Sequence, residues 1–254
     1  MTSPAIAPLP APAPASALSS ASSLATSLAT SFAASPLPTP RYALAIFDFD
    51  GTLADSADWF LSIADELAER FRFRRVSADE IEMLRGRTTR EVIRYLGIPR
   101  WRLPGIGRYV HARLAEQTDR ITLFDGVGGL IETLAERGVV IALVTSNAEE
   151  NARAILGPEM AARIGRFECG ASLFGKARRY RRVLRWGKVA PGAVIAIGDE
   201  TRDIVAARRA GIDAGAVLWG YANRDALCRL EPNALFETPE DVVRTILGLS
   251  AAIS

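Results

Sequence analysis

Three short apolar runs constrain the fold of this chain more than any other feature. They occupy residues 42–47, 139–144 and 193–197, and a segment with helical spacing of apolar residues follows each one at some distance. Continuous apolar runs of this length are typical of strands in a parallel sheet, because helices cover both faces of such a sheet. The chain is therefore predicted to form an α/β fold with a doubly wound parallel sheet, a Rossmann-like three-layer core.

Polar side chains stand where each apolar run ends. They are Asp48 and Asp50 after the first run, Thr145, Ser146 and Asn147 after the second, and Asp199, with Asp203 one helical turn later, after the third. Ligands of open parallel sheets bind at the carboxyl ends of the strands, so these groups are expected to share one site. A lone Asp-x-Asp equally well caps the following helix, but three such endings favour a site.

Four short motifs resemble those of one enzyme family. Residues 48–53 read DFDGTL, like the first motif of the haloacid dehalogenase-like hydrolases, whose members mostly transfer phosphoryl groups through an aspartyl-phosphate. Thr145 resembles the second motif, Lys176 in the string FGK the third, and GDETRD at residues 198–203 the fourth. The motifs span residues 47–203, and phosphoglycolate phosphatase is the nearest named activity in the family.

A charge-rich helical stretch separates the first motif from the second. Apolar residues at Trp59, Phe60, Ile63 and Leu67 have helical spacing, and no strong strand pattern interrupts residues 58–122. The stretch resembles the helical cap that many family members insert at this place. We therefore expect a cap at residues 58–122 and a core formed by residues 41–57 and 123–254.

The resemblance implies a role for each acidic residue of the motifs. Asp48 is expected to attack phosphorus, and Asp50 to protonate the leaving alcohol and then activate water. Carboxylates of Asp48 and Asp199, with the main-chain carbonyl of Asp50, are hard oxygen ligands suited to Mg²⁺. Asp203 is expected to hold a metal-bound water or Lys176, although acids are also common in first helical turns.

The same resemblance assigns groups to the phosphate. Thr145 is expected to donate its hydroxyl to a phosphoryl oxygen, assisted by backbone N–H groups of Ser146 or Asn147. Lys176 supplies positive charge; it is one of only two lysines among 31 basic residues, and a cation at a helix start opposes the helix dipole unless an anion lies nearby.

Two cap arginines are candidates for contacts with the rest of the substrate. Arg85 and Arg87 flank Gly86 within the expected cap, from which they can reach towards the core. For either residue alone, the alternative is a solvated arginine on an arginine-rich helix.

The identity of residue 50 narrows the expected reaction. In this family, haloalkanoate dehalogenases lack an acid two residues after the nucleophile, and ion-pumping ATPases carry threonine there. Asp50 therefore favours a Mg²⁺-dependent phosphomonoesterase acting on a small phosphorylated metabolite, with 2-phosphoglycolate as the named candidate. The alternatives are a sugar phosphomutase like β-phosphoglucomutase and a non-catalytic protein that binds a phosphometabolite.

Composition bounds the partners and the compartment. The net charge is +2 over 254 residues, so the total charge favours neither nucleic acid nor membrane as a partner. In the arginine-rich run at residues 176–186, Tyr180, Val183 and Leu184 form an apolar side. The basic residues are therefore interpreted as the solvated face of a packed helix, and not as a nucleic-acid-binding surface. Two cysteines are too few for a disulfide framework, so we expect a reducing compartment and a cytoplasmic location. A monomer or a homodimer is expected.

The first 40 residues have a composition of their own. They contain no charged residue and eight of the fourteen prolines, with many alanines and serines. A segment of this kind cannot bury enough apolar surface to offset its conformational entropy, so a disordered tail is expected.

Overall fold

Six parallel strands form the central sheet, in the order β5-β4-β1-β6-β7-β8. The computed structural model describes residues 39–170 and 175–249; the expected tail lies almost wholly outside this range, as do residues 172–174 of the loop before Lys176. Two further short strands, β2 and β3, pair with each other. The strands are β1 Leu44–Phe47, β2 Ala54–Asp55, β3 Thr122–Leu123, β4 Val140–Val144, β5 Arg166–Glu168, β6 Val194–Gly198, β7 Asp213–Val217 and β8 Ala234–Phe236.

Helices cover both faces of the sheet, as predicted for a doubly wound fold. Side chains alternate along β1, so Phe47 faces a core cluster with residues of α5, α6 and α10, whereas Leu44 and Ile46 face residues of α7 and α8. The helices are α1 Ala57–Phe71, α2 Ile81–Arg85, α3 Thr89–Tyr95, α4 Leu103–Ala115, α5 Val127–Glu136, α6 Glu149–Arg163, α7 Lys176–Gly187, α8 Thr201–Ala210, α9 Arg224–Cys228 and α10 Pro239–Leu247.

The register of the sheet brings the three polar strand ends to one edge. Phe47, the last residue of β1, is level with Leu143 of β4 and with Ile197 of β6. The residues that follow these positions therefore emerge side by side at the carboxyl edge of the sheet.

Four helices, α1 to α4, lie between β2 and β3, where a helical cap was expected. The antiparallel pair β2 and β3 joins the two ends of this insertion. Trp59, Ile63 and Leu67 form the buried stripe of α1, but Phe60 is 42% exposed because it lies about 100° around the helix from that stripe. The division of the chain into cap and core at residues 58 and 122 stays a prediction.

Two elements, β8 and α6, differ from the prediction. The apolar run at residues 214–219 predicts a strand, which would be the last one, but β8 follows β7 and pairs with it. This strand is only three residues long, so its apolar run is too short to predict a strand from the sequence. The sequence pattern predicts a helix over residues 149–156, but α6 continues to Arg163 after a kink at Gly157, which has a φ of 73°.

None of the helices in residues 39–170 and 175–249 has both the length and the apolar character needed to cross a membrane.

Candidate active site

A buried lysine joins two of the predicted acidic residues. The Nζ atom of Lys176 lies 2.5 Å from Oδ2 of Asp48 and 2.5 Å from Oδ1 of Asp203. All three side chains are at most 3% exposed. Burial lowers the pKa of Lys176, but the charges of Asp203 and Asp48 outweigh that effect and raise it above its ordinary value. The lysine is therefore a fixed positive charge against the carboxylate predicted to act as nucleophile.

Asp48 itself lies directly beyond β1. Its backbone N–H donates to the carbonyl of Ile197 at 2.9 Å, which continues the hydrogen bonding between β1 and β6 by one residue. Burial raises the pKa of Asp48 to about 6, although the ammonium of Lys176 opposes the rise. The backbone hydrogen bond to Ile197 and the ammonium of Lys176 therefore fix the position of Asp48.

Asp199 occupies the corresponding position after β6 and is fully buried. Its Oδ1 accepts from the hydroxyl of Thr52 at 2.9 Å, and its Oδ2 accepts from the backbone N–H of Tyr221 at 2.8 Å. Burial raises the pKa of Asp199 well above its ordinary value, and the negative charges of Glu200 and Asp48 add to the rise. A carboxylate in such surroundings is stabilised by a cation.

Three carboxylates lie close enough together to hold one metal ion. One oxygen each from Asp48, Asp199 and Asp203 lies within 4.8 Å of the other two. Asp203, which was expected to hold a metal-bound water or Lys176, belongs to this cluster and also contacts Lys176. The side chain of Asp50 lies outside this cluster, in keeping with its expected use of a main-chain carbonyl.

Asn147 orients Asp50, a role that its sequence position did not indicate. Its side-chain Nδ2 donates to Oδ1 and Oδ2 of Asp50 at 3.2 and 3.3 Å. Burial raises the pKa of Asp50, and hydrogen bonds from Ser56 and Asn147 partly offset the rise. The backbone N–H of Asn147, predicted to assist phosphate binding, donates to Oγ1 of Thr145 at 2.9 Å.

Thr145 and Ser146 lie where the motif predicts, at the end of β4. Thr145 is fully buried, and its backbone N–H donates to the carbonyl of Glu168. The backbone of Ser146 contacts His111 of α4, and the charge of Asp50 also acts on that histidine, whose pKa is lowered by burial. His111 therefore reaches the site from the inserted helices.

Close packing fixes the loops that carry these groups. A Cβ atom at Gly198 would lie 2.5 Å from the carboxyl group of Asp203, and one at Gly220 would lie 2.2 Å from Cβ of Asp199. Gly51 combines a φ of 77° with a similar lack of space against Asp199. Backbone without side chains at these positions lets β1, β6 and the segment after β7 meet.

The predicted cap arginines contact the core and a surface crevice. Nε and Nη2 of Arg85 donate to the carbonyls of Tyr221 and Gly220 at 3.1 and 3.2 Å. Arg87 donates to Sδ of Met83 and lines a crevice of about 490 Å³ that includes Thr201 but neither Asp48 nor Asp199. A substrate contact from either arginine stays a prediction.

The comparisons with known proteins agree with this geometry. Residues 45–217 match the family model described as haloacid dehalogenase-like hydrolase. The chain belongs to this family. The predicted fold and family are therefore confirmed, and the enzyme is a hydrolase.

Proteins similar to this chain carry different names. The chain is 31% identical over 205 residues to a phosphoglycolate phosphatase of Synechococcus elongatus, covering 80% of this chain and 97% of that protein. It is 30% identical over 226 residues to the tyrosine-protein kinase PtkA of Mycobacterium tuberculosis, covering 85% of this chain and 75% of that protein. A family hydrolase from Streptococcus pneumoniae has the same fold, with a TM-score of 0.66, 20% identity and coverage of 80% of this chain and 97% of that one.

Arg202 is a further residue at this site that the sequence prediction missed. Its Nη2 lies 2.5 Å from Oε1 of Glu200, and its charge acts on Asp48, Asp50 and Lys176. The position is inside the fourth motif, between the two predicted aspartates, but in an arginine-rich chain nothing distinguishes it in the sequence.

Proposed function

We propose that the protein is a phosphomonoesterase that uses Asp48 as its nucleophile. The observation that carries this proposal is the buried ion pair of Asp48 with Lys176, beside Asp199 and Asp203. A carboxylate nucleophile and a phosphate monoester are both anionic, so their reaction requires positive charge fixed at the site. The phosphoglycolate phosphatase names of relatives support a small phosphorylated metabolite as the substrate class.

The acidic cluster fits a divalent cation. Carboxylate oxygens are the ligands that Mg²⁺ prefers, and the charges of Asp48, Asp199 and Asp203 would otherwise repel one another. We assign these three side chains and the main-chain carbonyl of Asp50 as the residues that would hold Mg²⁺. Mg²⁺ bound there would supply further positive charge against the repulsion between nucleophile and phosphate.

The side chains divide the reaction into two steps. An oxygen of Asp48 forms a bond to phosphorus while the ester bond to the leaving alcohol breaks, and Asp50 donates a proton to that alcohol. Asp50 then takes a proton from water, whose oxygen attacks phosphorus and releases phosphate from Asp48. Lys176 and the hydroxyl of Thr145 stabilise charge on the phosphoryl oxygens.

The raised pKa of Asp50 suits a group that must first give a proton and then accept one. General acid–base catalysis of this type contributes about 10²–10⁴ to a rate. Asn147 holds the carboxyl group towards the site in both steps.

Phosphate release with Mg²⁺ tests the proposal, with p-nitrophenyl phosphate, 2-phosphoglycolate and glucose 1-phosphate as substrates. We expect turnover of at least one ester by the wild type, and none by Asp48→Asn, because the attacking oxygen is lost. The matched control is Asp225→Asn, an exposed acid on α9, which should retain wild-type turnover. Hydrolysis by Asp48→Asn at the control rate would remove Asp48 as the nucleophile.

The acceptor of the phosphoryl group separates the alternatives. The similarity to PtkA favours a second candidate, transfer to a protein hydroxyl, in place of transfer to water. A phosphomutase would instead return the phosphoryl group to a sugar phosphate. Free phosphate formed in stoichiometric amount with the alcohol supports the phosphatase, whereas alcohol release that exceeds phosphate release favours one of the transferases. Absence of turnover with every ester favours a non-catalytic binding protein.

A further inference from the structure

Arg202 is a mostly buried guanidinium with unsatisfied donors. It lies in the first turn of α8, and its side chain is 17% exposed. Glu200 engages Nη2, but Nε and Nη1 are buried without a hydrogen-bond partner. A buried, charged N–H group without an acceptor is unfavourable, so these two donors are suited to acceptor atoms of a bound molecule.

The charge of Arg202 acts on the catalytic groups themselves. Burial lowers the pKa of Arg202, but the charges of Glu200, Asp203 and Asp48 raise it far above its ordinary value, so the group is always a cation. Lys176 already contacts two carboxylates, Asp48 and Asp203. Arg202 is therefore a cation of this site whose buried N–H groups lack acceptors.

Glu200 connects Arg202 to the inserted helices. Oε2 of Glu200 accepts from the hydroxyl of Thr89, at the start of α3, at 2.8 Å, while Oε1 of Glu200 holds Arg202. The phosphoryl group must face Asp48 at the sheet edge. The rest of the substrate then extends towards the inserted helices, where the Glu200 contact fixes the guanidinium.

We propose that Arg202 binds a carboxylate on the alcohol portion of the substrate, so that the substrate class is a phosphorylated hydroxy acid. This inference rests on the proposed function. Arginine is suited to the task because its N–H groups form short, charge-assisted hydrogen bonds with carboxylate oxygens and it stays charged when buried. A site built to hydrogen-bond a substrate group discriminates strongly against an analogue that lacks it.

Two esters of nearly equal shape test the inference. They are 2-phosphoglycolate and 2-hydroxyethyl phosphate, in which a hydroxymethyl group replaces the carboxylate. The measured quantity is the ratio of their kcat/KM values in Mg²⁺. We expect the wild type to prefer 2-phosphoglycolate, and Arg202→Ala to lower the ratio by about 10- to 100-fold, the equivalent of one hydrogen bond to a charged group. Arg202→Lys should retain part of the preference, and the exposed Arg178→Ala on α7 should retain all of it.

The ratio is measured on one preparation, so it does not depend on the fraction of a variant that folds. Equal losses on both esters in Arg202→Ala would overturn the inference, because Arg202 would then act on the phosphoryl group or on the architecture of the site. A wild type that hydrolyses both esters without preferring the carboxylate would overturn it too, and would leave the proposed function standing. A wild type that hydrolyses no phosphate ester would refute the proposed function itself.

Discussion

Replacing Lys176 by methionine is expected to destabilise the protein strongly at pH 8. Methionine keeps much of the length of the side chain but removes the charge, which leaves Asp48 and Asp203 buried without their cation. Loss of one partner from a buried ion pair costs about 3–5 kcal/mol. For a folded region of this size, each kcal/mol corresponds to about 2–4 °C in Tm, so we expect a decrease of about 6–20 °C.

Thermal denaturation in EDTA measures the decrease, and the chain offers a matched control. Its only other lysine, Lys188, is exposed at the C-terminal end of α7, so Lys188→Met should change Tm little. If Lys176→Met and Lys188→Met unfold at the same temperature, the buried ion pairs do not form in solution, and the charge argument for the site is wrong.

The effect of Lys176→Met should also depend on pH. The pKa of Asp48 is raised to about 6 even beside the lysine, and without the lysine burial raises it further. The folded variant then binds more protons than its unfolded form, so its stability increases as pH falls from 8 towards 5. The stability gap to the wild type should therefore narrow over that range; a constant gap would contradict the charged state assigned to Asp48.

Three further variants test separate parts of the structure. Arg85→Ala should lower kcat/KM about 30-fold in steady-state assays, because two hydrogen bonds of about 1 kcal/mol each between the inserted helices and the core are lost. Gly198→Ala should lower the free energy of unfolding in urea by about 1–3 kcal/mol, because its Cβ would overlap a buried carboxyl group. Burial and a hydrogen bond to Asp213 raise the pKa of Tyr42 to about 12. In the wild type the unfolded state therefore loses this proton at a lower pH than the folded state, and stability falls as the pH rises from about 10 to 12. Tyr42→Phe should reduce the decrease in Tm over this range.

Controls make each of these results interpretable. Arg94→Ala, exposed on α3, should retain wild-type kcat/KM, and equal losses in both arginine variants would contradict a specific contact of Arg85 with the core. Gly192→Ala has open space around its Cβ and should unfold like the wild type. A Tyr42→Phe variant whose Tm falls as steeply as that of the wild type would show that Tyr42 does not carry the pH dependence.

The strand ends of the site could be predicted from the sequence because two simple rules act together. An apolar run marks a buried strand, and parallel strands end at the same edge. These rules bring Asp48, Thr145 and Asp199 together without any knowledge of the intervening chain. Lys176 lies on a helix, so its place in the site followed only from the family resemblance, and the structure puts it in contact with Asp48.

Other parts of the site depend on packing that a linear pattern does not contain. His111 reaches Ser146 because α4 packs against α6, and Arg202 differs from the 28 other arginines in its place beside the buried acids of the site. Asn147 was predicted as a backbone donor, but its neighbour Thr145 accepts from that N–H and its side chain holds Asp50. Short strands are difficult to predict for a related reason. The three residues of β8 form a strand because they pair with β7, and a run of three residues does not predict one.

Transient phosphorylation of Asp48 is the central claim, and a pre-steady-state burst in the Asp50→Asn variant tests it most directly. With 2,4-dinitrophenyl phosphate the leaving group needs no proton, so Asp48 should still react, whereas hydrolysis of the aspartyl-phosphate lacks its base and becomes slow. We expect rapid release of about one dinitrophenolate per active site, followed by slow turnover, with no burst in the Asp48→Asn/Asp50→Asn double variant. Linear release without a burst, or a burst that persists in the double variant, would contradict transient phosphorylation of Asp48.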